Sequence, residues 1–192
     1  VMRALCLCAL LALGACRSVP ERDVPAPSTA EREAVLAART DWGFSGRVAY
    51  SQAGQGGSAR IDWRQTGPVS EVRLSGPLAA GGVRLRVEDG QAQVFDAAGD
   101  LLAEGEADAV FAHWLSVPLP ARDLTAGLRA YWPDSPERTA AALSGSVRSQ
   151  SWDWRYSAWW PGPVVLPRQL EVQAGDARLR VVIEQWREGG GD

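Results

Sequence analysis

Phe44-Ser45-Gly46-Arg47-Val48-Ala49-Tyr50-Ser51 is the stretch on which the fold turns. Phe44, Gly46, Val48 and Tyr50 alternate with Ser45, Arg47, Ala49 and Ser51, the two-residue period of a strand that lays one face on a core. The same alternation recurs downstream. Ala59, Ile61 and Trp63 oppose Arg60, Asp62 and Arg64 after a turn read at Gly54 to Gly57, and Gly67-Pro68 ends that strand. Val72 and Leu74 form a third, interrupted at Gly76-Pro77. Val83, Leu85 and Val87 oppose Arg84, Arg86 and Glu88 in a fourth. Asp89-Gly90 is a hairpin signal, Ala92 and Val94 continue the meander, and Leu101 to Gly105 reads as a weak strand after the Ala97-Ala98-Gly99-Asp100 return. Strands resume at Trp152 to Trp160, Gln169 to Gln173 and Asp176 to Trp186.

Helical periods flank and interrupt this pattern. Ser28-Thr29-Ala30-Glu31 has the form of a capping box, and Val35, Leu36, Arg39 and Trp42 share a side at 3.6-residue spacing, which predicts a helix from Thr29 to Thr40. Asp108 is placed to cap a short helix whose Val110, Phe111, Trp114 and Leu115 line one face, closed by Pro118 and Pro120. A second inserted helix carries Leu124, Leu128 and Tyr131 or Trp132, with Pro133 and Pro136 closing it. A meander that is apolar on one side and charged on the other must curl on itself or be covered by helices. The expected fold is therefore mainly β with helices, a curved, open antiparallel barrel. Nine Trp against three Tyr and three Phe suit a wide interior lined by large side chains.

The N-terminal residues read as an export signal. Arg3 gives a positive start, Ala4 to Leu13 form an apolar run too short for a permanent span, and Leu13-Gly14-Ala15-Cys16 follows. A thiol directly after a small pair resembles the bacterial lipobox, which implies that residues 1–15 are removed and Cys16 is acylated. One acyl chain binds only marginally, so lasting attachment needs several. By resemblance to lipoprotein sorting in Gram-negative bacteria, Arg17 in place of an aspartate favours release from the inner membrane to the outer one. Residues 16–27, with three prolines, read as a tether. Cys6 and Cys8 leave with the signal, so no thiol remains for a disulfide, a metal or a nucleophile.

Charge and chemistry narrow the function classes. The net charge is −3, every basic residue is Arg, and there is no basic block, which argues against nucleic acid. His113 is the one histidine, so no two-histidine metal site can form, and Gly54-Gln55-Gly56-Gly57 lacks the lysine and helix of a phosphate loop. Asp62, Glu71 and Asp153 are carboxylates with no spacing that pairs them for glycoside chemistry. No cofactor is expected and an enzyme is unsupported.

Several segments together resemble a known family. Trp42-Gly43-Phe44-Ser45-Gly46-Arg47-Val48-Ala49, Ile61-Asp62-Trp63-Arg64-Gln65 and Leu74-Ser75-Gly76-Pro77-Leu78 are followed by Leu119-Pro120-Ala121-Arg122-Asp123-Leu124, Trp152 to Tyr156 and Val181-Val182-Ile183-Glu184-Gln185-Trp186. In that order the segments resemble the outer-membrane lipoprotein LolB family. The resemblance implies an incomplete antiparallel barrel enclosing helices around an apolar cavity, over residues 28–186, with 187–192 as a tail. It implies a monomer at the periplasmic face of the outer membrane that accepts triacylated lipoproteins from a LolA-like soluble carrier and inserts them among outer-membrane lipids. A protruding loop with an exposed leucine is also implied, here Pro77 and Leu78. Ala79-Ala80 follows, where the family pattern has glycine directly after the leucine. The residues expected at the acyl-chain cavity are Trp63, Leu74, Leu85, Trp114, Leu115, Leu128, Trp154 and Ile183. Two other readings stand beside this one: a lipid-anchored periplasmic hydrolase, and a structural envelope lipoprotein.

Overall fold

The computed structural model describes residues 28–76, 79–115 and 120–189. Cys16, the signal segment, the tether and the Pro77-Leu78 pair lie outside the described residues, as do the side chains of Trp114 and Leu115. A first helix, α1 (Thr29–Ala38), precedes six strands: β1 (Trp42–Gln52), β2 (Gln55–Thr66), β3 (Val69–Gly76), β4 (Ala79–Glu88), β5 (Gln91–Phe95) and β6 (Leu101–Glu106). Three helices follow, α2 (Ala107–Leu115), α3 (Ala121–Arg129) and α4 (Pro136–Leu143). Four strands complete the chain: β7 (Ser146–Ser149), β8 (Trp152–Trp160), β9 (Leu166–Ala174) and β10 (Ala177–Glu188), which runs two residues into the expected tail.

All ten strands belong to one antiparallel sheet in the order β6-β5-β4-β3-β2-β1-β10-β9-β8-β7. The first and last strands pair at its middle, Phe44 opposite Trp186 and Val48 opposite Val181. The sheet does not close. Its edges, β6 and β7, are the strands on either side of the helical segment, so α2 to α4 carry the chain from one open edge to the other. Curvature has a local source in β1. The register with β10 shifts between Ser45 and Gly46, and a β-carbon on Gly46 would stand 2.2 Å from the Val182 carbonyl oxygen. Only glycine lets the two backbones approach that closely, and a bulge there bends and twists the sheet.

Burial follows the expected alternation. Phe44, Val48, Ile61, Trp63, Val72, Leu74, Leu85, Val94, Leu179, Val181 and Ile183 point inward and are buried, while Arg47, Arg60 and Arg73 point out. The helices sit on the apolar side, with Phe111, Leu124 and Leu128 buried in the same core. Helix α1 packs Leu36 on Val164 and Leu166 outside that core. Its capping box forms as expected, Ser28 Oγ accepting from the Glu31 amide while Glu31 accepts from the Ser28 amide.

Several expectations need correction. Helix α1 ends at Ala38, and Trp42 begins β1, paired with Gln65 and Glu188, rather than lying on the helix face. The first hairpin turns at Ala53-Gly54, so Gln55, Gly56 and Gly57 are already strand. Asp108 does not cap α2: β6 runs straight into that helix, and the Asp108 carboxylate accepts the Ala121 amide, capping α3. Helix α3 stops at Ala130, left-handed at φ 50, so Tyr131 and Trp132 are not on its face. Pro136 opens α4 instead of closing α3, because proline lacks only an N–H that a first helical turn leaves unpaired. Among the described residues there are thus three inserted helices, and β7 is a further strand.

Candidate functional site

Beneath α3 the core is not completely filled. A cavity of about 40 Å³ is lined by Val48, Ile61, Trp63, Val72, Leu74, Leu85, Phe111, Leu124, Leu128, Leu179 and Val181. These come from β1, β2, β3, β4, β10 and the inward faces of α2 and α3, where the strand and helix periods aim apolar side chains at one another. Of the residues expected at a cavity, Trp63, Leu74, Leu85 and Leu128 line it. Trp154 and Ile183 are fully buried in the surrounding core without bordering it. Val48, Ile61, Val72, Phe111, Leu124, Leu179 and Val181 border it too, and each lies on an apolar face that the periodicity marks.

An open cleft shares two lining residues with the cavity. Trp63 and Phe111 border both, and the cleft, about 720 Å³, extends past Gln65, Ser70, Ala126, Arg129, Tyr131 and Trp132 between α3 and the ends of β2, β3 and β4. That volume is in the range of pockets that enclose a small ligand. Trp63, which borders the cleft, is backed by aromatic rings that do not: it stacks on Trp42 at 6.1 Å and on Phe44 at 6.2 Å, and Trp186 tilts against both of those partners. Behind α3, Trp132 meets Trp154 edge-on at 6.1 Å.

Helix α3 is seated by specific contacts. A β-carbon on Gly127 would fall 2.1 Å from the Trp154 ring, so the helix backbone rests directly on the indole. Tyr156 donates its hydroxyl proton to the Gly127 carbonyl at 2.8 Å, and burial pushes that hydroxyl well above its ordinary pKa, keeping it a donor. Ser149 donates to the buried Asp123 carboxylate at 2.6 Å, tying α3 to β7. At the C-terminal end two buried arginines interlock α1 and α3. Arg32 donates to the carbonyls of Arg129 at 2.6 Å, Ala130 at 3.1 Å and Val165 at 2.8 Å, while Arg129 donates to those of Leu36 and Arg39. Each cation thus faces the negative end of the other's helix. Desolvation lowers both guanidinium pKa values to about 10, and for Arg32 the proximity of Arg129 adds to it, so both stay charged at neutral pH.

The open sheet thus holds a small apolar cavity beside a larger cleft of mixed polarity, and similarity to other proteins places this arrangement in a family. The family model described as outer membrane lipoprotein LolB matches residues 40–186. This chain belongs to the LolB family. It is 33% identical to the outer-membrane lipoprotein LolB of Alkalilimnicola ehrlichii, with 93% of this chain and 92% of that one aligned. The LolB of Xylella fastidiosa is 32% identical over 82% of this chain and 76% of its own, and that of Xanthomonas axonopodis pv. citri 29% over 92% of each. A solved structure of a DUF1329 family protein from Desulfovibrio piger superposes with a TM-score of 0.54 at 9% identity, covering 85% of this chain and 92% of that one, which shows the shared fold alone. In LolB family terms, the mainly β, unclosed antiparallel barrel with helices on its concave side is the expected architecture.

Proposed function

We propose that this protein is the outer-membrane receptor that takes triacylated lipoproteins from a LolA-like soluble carrier and places them in the outer membrane, acting as a monomer and without catalysing a covalent step. Residues 1–15 serve as the signal, Cys16 carries the lipid anchor, residues 16–27 form the tether and residues 28–186 the working domain. The observation that carries this reading is the apolar cavity between α3 and the open sheet, whose Trp63 and Phe111 walls also border a neighbouring cleft, within a chain of the LolB family. Shielding many methylenes, each worth about 0.8 kcal/mol, requires such an interior.

A cavity of 40 Å³ is far smaller than an engineered cavity of about 150 Å³ that holds one benzene, so cargo entry requires α3 to lift from the sheet. The arginine lock holds its C-terminal end and the buried Ser149–Asp123 hydrogen bond holds its first turn, so lifting α3 has to break one of these two ties. Leu78, between Gly76 and Ala79 on paired strands β3 and β4, is the residue assigned to bilayer entry. The test is transfer from a purified, lipoprotein-loaded carrier to the protein in vitro. Acceptance is expected for the wild type, and acceptance without delivery to vesicles for Leu78→Glu. Failure of the wild type to accept cargo overturns the reading, and normal delivery by the variant removes Leu78 alone from it.

A further inference from the structure

The outer face of the sheet carries a feature that cargo binding does not use. Across β3, β4, β5 and β6 the register places Arg73 opposite Arg84, Arg84 opposite Phe95, and Phe95 opposite Leu101. On β2 the residue opposite Arg73 is Asp62, which is held by Arg187, and two residues along the strand Arg60 stands opposite Arg47 on β1. Like charges directly opposed across strands are destabilising, and an anionic partner relieves them. Arg47 has the Glu184 carboxylate at 2.9 Å. Among the described residues, Arg60, Arg64 and Arg73 have no carboxylate within ion-pair distance.

These side chains border a groove of about 810 Å³ lined by five arginines and three carboxylates. The carboxylates are engaged: Asp62 with Arg187 at 2.8 Å, Glu184 with Arg47, and Asp96 with the amides of Ala98, Gly99 and Asp100 in its own turn. The groove is therefore cationic on a protein of net charge −3. At its apolar margin Arg84 lies over the Phe95 ring at 4.6 Å, followed by Leu101 and Leu102, which are 50% and 48% exposed and are the exposed large aliphatic side chains among the described residues.

We infer that this row of arginines ending in Phe95, Leu101 and Leu102 is a peripheral membrane-docking surface for the phosphate headgroups of anionic lipids. Three observations favour a bilayer. Unpaired guanidiniums grade directly into exposed aliphatic side chains, the composition of an interfacial membrane site. The surface is continuous with the β3–β4 connection, since Gly76, paired with Ala79, lies three residues or about 10 Å along β3 from Arg73. Inward-facing Val72 and Leu74 border the cavity on the opposite side of the same strand, so contact here leaves the cargo site unobstructed. The inference rests on the receptor reading only for the presence of a membrane, and its test needs no cargo.

The chain from residue 16 with Cys16→Ala, which retains every described element and lacks the acyl anchor, is sedimented with vesicles. One set is phosphatidylethanolamine with about a quarter phosphatidylglycerol, and the other phosphatidylcholine alone. Binding is expected to be at least about tenfold tighter to the anionic vesicles at low salt and to weaken steeply with added salt. Arg60→Gln/Arg73→Gln is expected to lower anionic-vesicle affinity about tenfold or more with an unchanged thermal midpoint, and Leu101→Ser/Leu102→Ser to lower what survives in high salt. Equal affinity for both vesicle types, or no salt dependence in the wild type, overturns the proposal whatever the variants do. Unchanged vesicle binding by the double arginine variant also overturns it, and if that variant instead loses affinity for the purified carrier, the groove is a protein interface. Failure of the wild type to accept cargo with its vesicle binding intact counts against the receptor reading alone.

Discussion

At Gly127 a single hydrogen atom separates a fitted helix from a collision. Alanine is the better helix former by about 1 kcal/mol, yet here its methyl would enter the Trp154 ring. Backbone or indole must shift, an overpacking whose usual size is about 1–3 kcal/mol. Gly127→Ala is thus expected to lower the free energy of urea unfolding by that amount, and Trp154→Leu in the same chain to return part of it. A Gly127→Ala protein as stable as its parent removes the close seating of α3. This is also where single-sequence reading stops. Leu124 and Leu128 are legible because they fall on a helical stripe, and Trp63, Leu74 and Leu85 because they alternate. Gly127 lies between two legible leucines with nothing to announce it, since its role depends on an indole brought in by a distant strand. Trp42 misleads for a related reason: it falls on the helical stripe by count, but its hydrogen bonds are made in β1.

Besides the apolar core, elements are joined by polar ties that periodicity does not report. Arg32 lies on a helix whose apolar positions were evident, yet it is 2% exposed and holds three carbonyls of other segments. Arg32→Met strands those carbonyls, and Arg129→Met strands two more, so each is expected to cost about 2–4 kcal/mol in urea unfolding. The double variant should lose clearly less than the sum, because removing one cation relieves the other. A double-mutant cycle with strictly additive losses would mean that the two guanidiniums act separately. At the other end of α1, Ser28 hydrogen bonds, the backbone amide first, hold the Glu31 carboxyl below its ordinary 4.5. A carboxyl lowered in the folded state contributes stability that is full above its unfolded pKa and disappears as pH falls through the folded value. The first turn of α1 should therefore fray below about pH 4.5. Ser28→Ala should move the Glu31 titration, followed by NMR, back toward the ordinary value, and an unmoved titration would assign the shift elsewhere. That capping box was legible because both partners lie within four residues. Helix α4 and strand β7 were not, since Pro133 and Pro136 read as stops and a four-residue strand carries too little alternation to register.

On the scale of the whole molecule, the meander was readable because nearly every pairing joins neighbours in sequence. The pairing of β1 with β10 was not, although it decides which edges stay open and hence where the helices lie. An unclosed sheet whose helices cap a slightly underfilled core holds stability and capacity in opposition. Filling the 40 Å³ under α3 should stabilise the fold, by at most about 1 kcal/mol at 24 cal/mol per Å³, and should also remove the space from which an acyl chain begins to separate helix from sheet. Val72→Leu adds one methylene at the cavity wall without touching the cleft or the outer arginines. It is expected to raise the unfolding midpoint modestly, to leave vesicle binding unchanged, and to slow acceptance of lipoprotein from the carrier. If Val72→Leu is stabilised and accepts cargo at the parental rate, the acyl chains enter by a route other than the cavity beneath α3. In that case the cleft at Arg129, Tyr131 and Trp132 becomes the surface to probe.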